Sequence, residues 1–280
     1  MQAAVGVDDV IELGHFLPGG ALVDKQDKGM SETYTGLIEV GDRRFNAYVK
    51  LLPDDRQLVN ELLGSVLAKR AGLNTPDAYL VLVSRQDYPA AIRFTNRPGM
   101  LTTVAFATTA IGASSFRRRA DLHTPDAKRK FVRSWKEWPD VLGFDDWIAN
   151  GDRNTGNFLV GNEGEVWLID HGLALTGQNW TAANLLDPKR GVNSRLWNEV
   201  IRDAVDNDAK AAAANKMRSR VELFRKIDMS GSAVAAHVKY YLTPGELKTV
   251  RDFLSGRIDS VSARICDLLG VPELNLEKPQ

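Results

Sequence analysis

The chain has 280 residues, 44% of them hydrophobic and 26% charged, which is the balance of a folded globular protein and excludes a disordered or fibrous one. Lys+Arg 36 against Asp+Glu 36 leaves no net charge and so no long-range field for gathering nucleic acid or an anionic membrane surface. A single cysteine excludes an internal disulfide framework and a cysteine-rich zinc site, no apolar run is long enough to span a bilayer, and residues 1–9 lack the layout of a signal peptide; the expected address is cytoplasmic.

In chain order, short β-type runs dominate the first third. Residues 21–24, 34–40, 45–51, 79–84 and 90–94 read as strands, with Gly41-Asp42 as a tight reversal between the second and third. One helix interrupts them. Pro53-Asp54-Asp55 opens it, with Asp54 as N-cap and Gln57 three residues later; Leu58, Val59, Leu62, Leu63, Val66 and Leu67 form its apolar stripe, and Gly72 closes it. These elements predict a small antiparallel sheet with one helix packed on it.

Asn96-Arg97-Pro98-Gly99 reads as a linker, after which the pattern turns helical. Thr124-Pro125 and Pro139 start helices, the second ending at Asn150-Gly151, and further helices are expected over 195–205, 208–227, 244–255 and 260–269. The basic stretch Arg117, Arg118, Arg119, Lys128, Arg129, Lys130 and Arg133 reads as a solvated helix face, with a polyanion or substrate dock as the alternative. Inside this helical half one β-hairpin is expected, 158–160 and 166–169, joined by Gly161-Asn162-Glu163-Gly164.

That hairpin carries the chemistry. Gly151-Asp152-Arg153-Asn154-Thr155-Gly156-Asn157 leads into its first strand and Ile169-Asp170-His171-Gly172 leaves its second, so strand pairing brings Asp152, Asn157 and Asp170 to one end. Phosphoryl transfer asks a protein for a group that orients the attacking hydroxyl and for hard oxygen ligands to Mg2+, and these three residues supply both. The competing reading makes Asp152 and Asn157 ordinary turn residues and Asp170 a strand-end cap. Lys50 lies between Val49 and Leu51 in the mainly apolar run 45–51, where an ammonium is costly without a partner. Glu61 in the following helix is the expected partner, its same-face neighbours Gly64, Ser65 and Ala68 being small enough for close approach to the sheet.

Gly-Asp-Arg-x-x-x-Asn, a hairpin and Ile-Asp-x-Gly resemble the catalytic and metal-binding loops of the HipA-like and phosphoinositide 3/4-kinase-like atypical kinases. The resemblance implies an α+β, two-lobed protein-kinase-like fold: a small antiparallel-sheet N-lobe with one main helix over 1–94, a hinge over 95–99, a mainly helical C-lobe containing the catalytic hairpin over 100–272, and a tail over 273–280. It implies Asp152 as the catalytic residue, Asn157 and Asp170 as Mg2+ ligands, and Lys50 on the ATP phosphates with Glu61 orienting it. Gly29 and Ser31 would lie in a phosphate-covering loop, and the run 90–94, including Ile92 and Phe94, would pair with adenine. HipA-like behaviour would also make Ser31 or Thr33 a self-modification site. This chain has Asn154 where phosphoinositide kinases usually have His, and His171 where many kinases carry Phe.

The expected activity is therefore ATP- and Mg2+-dependent phosphoryl transfer to a hydroxyl, with protein Ser/Thr as the preferred acceptor. A phosphoinositide or small-molecule acceptor, AMP transfer on the same fold, and a non-catalytic regulatory module are the alternatives. A protein substrate and a regulatory protein are the partners implied; nucleic acid is not.

Overall fold

The computed structural model describes residues 10–23 and 31–272 and begins with six strands, β1 (Glu12–Phe16), β2 (Ala21–Leu22), β3 (Glu32–Val40), β4 (Arg43–Leu51), β5 (Ala78–Ser84) and β6 (Thr102–Thr109). Their order is β1-β5-β6-β4-β3-β2, and because β1 pairs with β3 as well as with β5, the sheet curls onto itself as a small barrel. β1 and β5 are parallel and the other pairs antiparallel. The register Val40↔Arg43 leaves Gly41 and Asp42 as a two-residue turn, and Gly41 at φ 60° supplies the positive φ that this turn needs at its first position.

Strand alternation sorts the two faces. Ala47, Val49 and Leu51 of β4 join Phe16, Ile38, Val81, Val83, Ala105 and Ala107 in the barrel interior. Lys50, between Val49 and Leu51, is on the opposite face. That outer face receives α1 (Asp55–Arg70), whose apolar stripe forms one core with Leu80 and Phe106. Asp54 caps α1 as expected, its Oδ1 accepting from Gln57 N at 2.8 Å.

Two expectations in this region are corrected. Residues 90–94 do not form a strand: they open α2 (Ile92–Asn96), which plugs the barrel with Ala91 and Phe94, both fully buried. The Pro98-Gly99 turn does not separate two halves of the chain, because the residues after it return as β6 to the middle of the sheet, between β5 and β4. The sheet therefore ends at Thr109 rather than at residue 94, and residues 110–113 lead out of it. A Pro-Gly pair encodes a reversal and is silent about which elements it joins.

The rest comprises β7 (Ser114–Ser115), α3 (Pro125–Ser134), α4 (Trp138–Trp147), β8 (Phe158–Val160), β9 (Val166–Leu168), α5 (Asn207–Lys226), α6 (Met229–Ala235) and α7 (Pro244–Leu269), giving a helical C-terminal region after a sheet-rich N-terminal one. The expected hairpin is β8–β9, with β7 added along β8. The two helices expected over 244–255 and 260–269 are one, α7. Gly256 did not break it, since one interior glycine costs only about 1 kcal/mol, and a Cβ there would come within 3.1 Å of Pro188. Beside it Arg257, fully buried, donates to Asp146 O, Trp147 O, Pro188 O and Arg190 O and so holds the end of α4 and residues 188–190 against α7. Burial pushes the Arg257 guanidinium down to about 10, which leaves it charged at neutral pH. Trp147, also fully buried, stacks on Phe224 at 4.5 Å and donates its Nε1–H to Leu254 O at 3.0 Å. Among the described residues no helix is long and apolar enough to cross a membrane.

Candidate active site

The loop from α4 to β8 is organised by a residue that points away from solvent. Arg153, 1% exposed, donates to Asp145 through Nε at 3.0 Å and Nη2 at 2.9 Å, to Asn157 O at 2.9 Å, to Ile169 O, and to His171 Nδ1 at 3.1 Å. One buried guanidinium thus ties α4, the loop, the start of β8 and the exit of β9 together. Its charge is matched by Asp145, whose carboxyl burial pushes up and Arg153 pulls back.

Around this hub the expected site residues converge. Asn157 Nδ2 donates to Asp152 O at 2.7 Å and to Asp152 Oδ2 at 3.2 Å, and Asn154 Nδ2 reaches the same Oδ2 at 3.3 Å. Asp170 sits at φ 64°, the left-handed region that Asp tolerates better than most residues and that recurs at functional sites. Its Oδ1 lies 3.2 Å from Lys50 Nζ, which also donates to Glu61 Oε1 at 2.7 Å, while Glu61 Oε2 accepts the His171 backbone N–H at 2.8 Å. Asn60, next to Glu61, fastens the segment beyond Asp170 by donating to Gly172 O, Ala174 O and Gly177 O and accepting from Trp180 Nε1.

The electrostatics follow from one ammonium between two carboxylates. Burial works against the Lys50 charge, yet Asp170 and Glu61 hold the ammonium above the ordinary lysine value. Burial pushes the Asp170 carboxyl up as well, but Lys50 outweighs it and the group ends below its ordinary value. Glu61, at 1% exposure, has the drier position; burial wins there over Lys50 and leaves it raised. Asp170 is the more exposed carboxylate, at 35%, and is the one with a face available to a ligand.

Two details of packing differ from expectation. Gly64 makes room for His171 rather than for the sheet: a Cβ there would lie 2.7 Å from His171 Cγ. Gly64→Ala should therefore push α1 and His171 apart, cost about 1–3 kcal/mol of stability, and loosen the Glu61 contact to the His171 amide, as read by thermal unfolding and amide exchange at His171. The basic stretch is largely engaged internally. Arg117 donates to Asn154 Oδ1 at 2.6 Å, Arg119 pairs with Asp121 at 2.8 Å and donates to Val160 O and Gly161 O, and Arg129 pairs with Asp126.

His171 is itself buried at 1%, edge-on to Phe144, and burial together with Arg153 holds its imidazole well below the usual histidine value. It is neutral in the folded protein, whereas in the unfolded chain it takes up a proton below about pH 6.5. The unfolded state then binds more protons, so the metal-free, nucleotide-free protein should lose stability as pH falls through 6.5, by at most about 1.4 kcal/mol per pH unit from this group. Denaturant titrations from pH 8 to 5 with chelator present measure this, and His171→Phe should flatten the slope even if it lowers stability throughout.

The remaining expected residues fare differently. Gly29 lies outside the described residues. Ser31 is half-buried just before β3, and Thr33 stands opposite Lys50 in the β3–β4 register. Ile92 begins α2, and Phe94 is inside the barrel beneath the Arg85 guanidinium, so neither belongs to an extended segment that could pair with adenine. Sequence reasoning passed over Arg153, an unassigned position inside the motif, and Arg195, whose Nη1 donates to Asp152 Oδ1 at 2.6 Å from 43 residues away. No local pattern marks Arg195. A separate cavity of about 480 Å³, lined in part by Ile11, Arg43, Val66, Lys69, Asp77 and Tyr79, shares no residue with this site.

The donor set fits Mg2+-ATP. Asn157 and Asp170 offer hard oxygens and Lys50 a fixed cation, while among the described residues no group of three or more His, Cys, Asp or Glu could hold an ion unaided. Mg2+ characteristically uses one or two protein oxygens and takes its other ligands from phosphates and water.

A barrel lysine held by a helix glutamate, facing a hairpin that presents Asp, Asn and Asp, places the chain among kinase-like proteins. The family model for the HipA-like kinases matches residues 21–228, and the chain belongs to that family. A solved relative in fold is the Helicobacter pylori proinflammatory kinase CtkA, with a TM-score of 0.52 at 12% identity, covering 90% of this chain and 98% of that one. No curated protein matches the sequence. The phosphoinositide-kinase part of the resemblance has no support from these comparisons.

Proposed function

We propose that the protein is an ATP- and Mg2+-dependent phosphotransferase acting on hydroxyl groups, with protein Ser/Thr as the preferred acceptor. The observation that carries this reading is the linked pair of clusters, Lys50–Glu61–Asp170 and Asp152–Asn157, with Arg153 bonded to both the loop and the β9 exit. In this reading Asp170 and Asn157 hold Mg2+, Lys50 holds phosphate oxygens, and Glu61 keeps Lys50 in place. Bound Mg2+-ATP supplies the phosphoryl group and much of the charge neutralisation. Asp152 orients the acceptor hydroxyl and receives its proton. Residues 110–113, which leave the central strand β6 toward the hairpin, replace 90–94 as the segment proposed to meet adenine.

The test is incubation of the purified protein with Mg2+ and ATP labelled at the γ- or the α-phosphate, alone and with cell lysate. Label from the γ- but not the α-position should appear on serine or threonine of protein. Transfer of α-label would mean AMP transfer, label in lipid or metabolite would change the acceptor class, and absence of Mg2+-ATP binding by calorimetry would remove the reading altogether.

A further inference from the structure

Arg195 lies outside every motif in the sequence and yet is built into the site. Its backbone N–H donates to Gly151 O at 3.1 Å, its Nε to Glu199 Oε1 at 2.7 Å, and its Nη1 to Asp152 Oδ1 at 2.6 Å. Gly151 permits this approach, because a Cβ there would come within 2.9 Å of Asn193 O and 3.2 Å of Val192 Cγ1. The guanidinium is therefore positioned from both ends, and its remaining nitrogen, Nη2, makes no hydrogen bond among the described residues while the side chain stays 43% exposed.

The two oxygens of Asp152 are not equivalent. Oδ2 accepts from both Asn154 and Asn157, whereas Oδ1, among the described residues, accepts from Arg195 alone. A carboxylate oxygen has two lone-pair sites, so the open one is on Oδ1, beside the guanidinium. A hydroxyl bonded there is necessarily a neighbour of Arg195. The loop offers no other cation at that oxygen: Arg153 is turned inside, Asn154 is neutral, and Arg117 reaches Asn154 rather than Asp152.

We propose, on the phosphotransferase reading above, that Arg195 is a second catalytic cation: Nη1 positions Asp152, and Nη2 pairs with the phosphoryl group as it passes to the acceptor. In that step the bond from acceptor oxygen to the γ-phosphorus forms and the bond from that phosphorus to the β–γ bridging oxygen breaks, its electron pair leaving on ADP, while the hydroxyl proton goes to Asp152 Oδ1. A loose transition state spreads charge over the three equatorial oxygens, and a planar, permanently charged guanidinium is suited to that charge.

The experiment is calorimetric binding of Mg2+-ADP with and without fluoroaluminate, a mimic of the transferring phosphoryl group, to wild type, Arg195→Ala and Arg195→Lys. Wild type should bind the fluoroaluminate complex more tightly than Mg2+-ADP. Arg195→Ala should keep its affinity for Mg2+-ADP, lose roughly a hundredfold in fluoroaluminate-dependent tightening, and lose kcat with little change in KM for ATP, with Arg195→Lys between the two. The half-exposed ion pair contributes little to folding, so the variants should fold. Full tightening in Arg195→Ala, equal loss of plain Mg2+-ADP binding, or no tightening in wild type would each overturn the proposal. Wild type that binds no Mg2+-ADP at all would instead strike the phosphotransferase reading, and this inference with it.

Discussion

Asp152→Asn is expected to bind Mg2+-ATP about as tightly as wild type and to turn over roughly a hundred to ten thousand times more slowly, the usual scale of a lost acid–base group. No hydrogen bond or ion pair joins Asp152 to Lys50, Glu61 or Asp170; among the described residues its side chain is bonded to Asn154, Asn157 and Arg195. The substituted amide is nearly isosteric, but every partner of the carboxylate is a donor, so the new NH2 must face either Arg195 or the two asparagine amides. One or two local bonds are lost, depending on which way the amide faces, and the melting temperature should fall slightly. Asp170→Ala gives the contrasting result: removing the oxygen proposed for Mg2+ and one of the two anions on Lys50 should weaken nucleotide binding along with turnover. Measuring ATP affinity and single-turnover rates on both variants separates the roles. Loss of ATP affinity in Asp152→Asn, with the rate per bound complex preserved, would place Asp152 among the nucleotide ligands instead.

Arg153→Met should have the largest effect on stability, about 3–5 kcal/mol, the range for breaking a buried ion pair from one side. The substitution leaves the Asp145 carboxylate, 1% exposed, with no cation and only the Asn150 amide at 3.4 Å, and also removes the donors to Asn157 O, Ile169 O and His171 Nδ1. Against a total stability on the order of 5–15 kcal/mol this approaches unfolding. Combining it with Asp145→Leu should recover much of the loss, because two apolar side chains leave no unpaired charge. Urea titration of wild type, single and double variants decides it: a single variant less than about 1 kcal/mol below wild type would mean that the Asp145 charge does not depend on Arg153 for its compensation.

Much of the candidate site's arrangement was legible because its residues are local in sequence. Asp152, Asn157 and Asp170 lie within one loop and hairpin, and the hairpin pairing that joins them, Phe158↔Leu168 through Val160↔Val166, is set by the turn at residues 161–165. Lys50 and Glu61 were legible for a related reason. A lysine between buried Val49 and Leu51, followed by a capped helix with a small-residue face, contradicts its surroundings unless a carboxylate answers it.

What the chain alone could not determine was every relation between distant segments. The pattern of β-branched and aromatic residues sets which segments can be strands, but the closure of the barrel through β1 and the central place of β6 depend on which strand edges meet. The assignment of Phe94 failed for that reason: a short run of four apolar residues and one arginine is equally a strand or a buried helical plug, and only its place in the barrel core, in one cluster with Phe16, Tyr34 and Tyr88, chose the plug. Arg195 and Arg153 show the same limit in the site. A guanidinium's role is set by the carboxylate it reaches, and Arg195 meets Asp152 only because Gly151 admits residues 192–193 against the loop, a contact made by the folded chain and by no spacing along it.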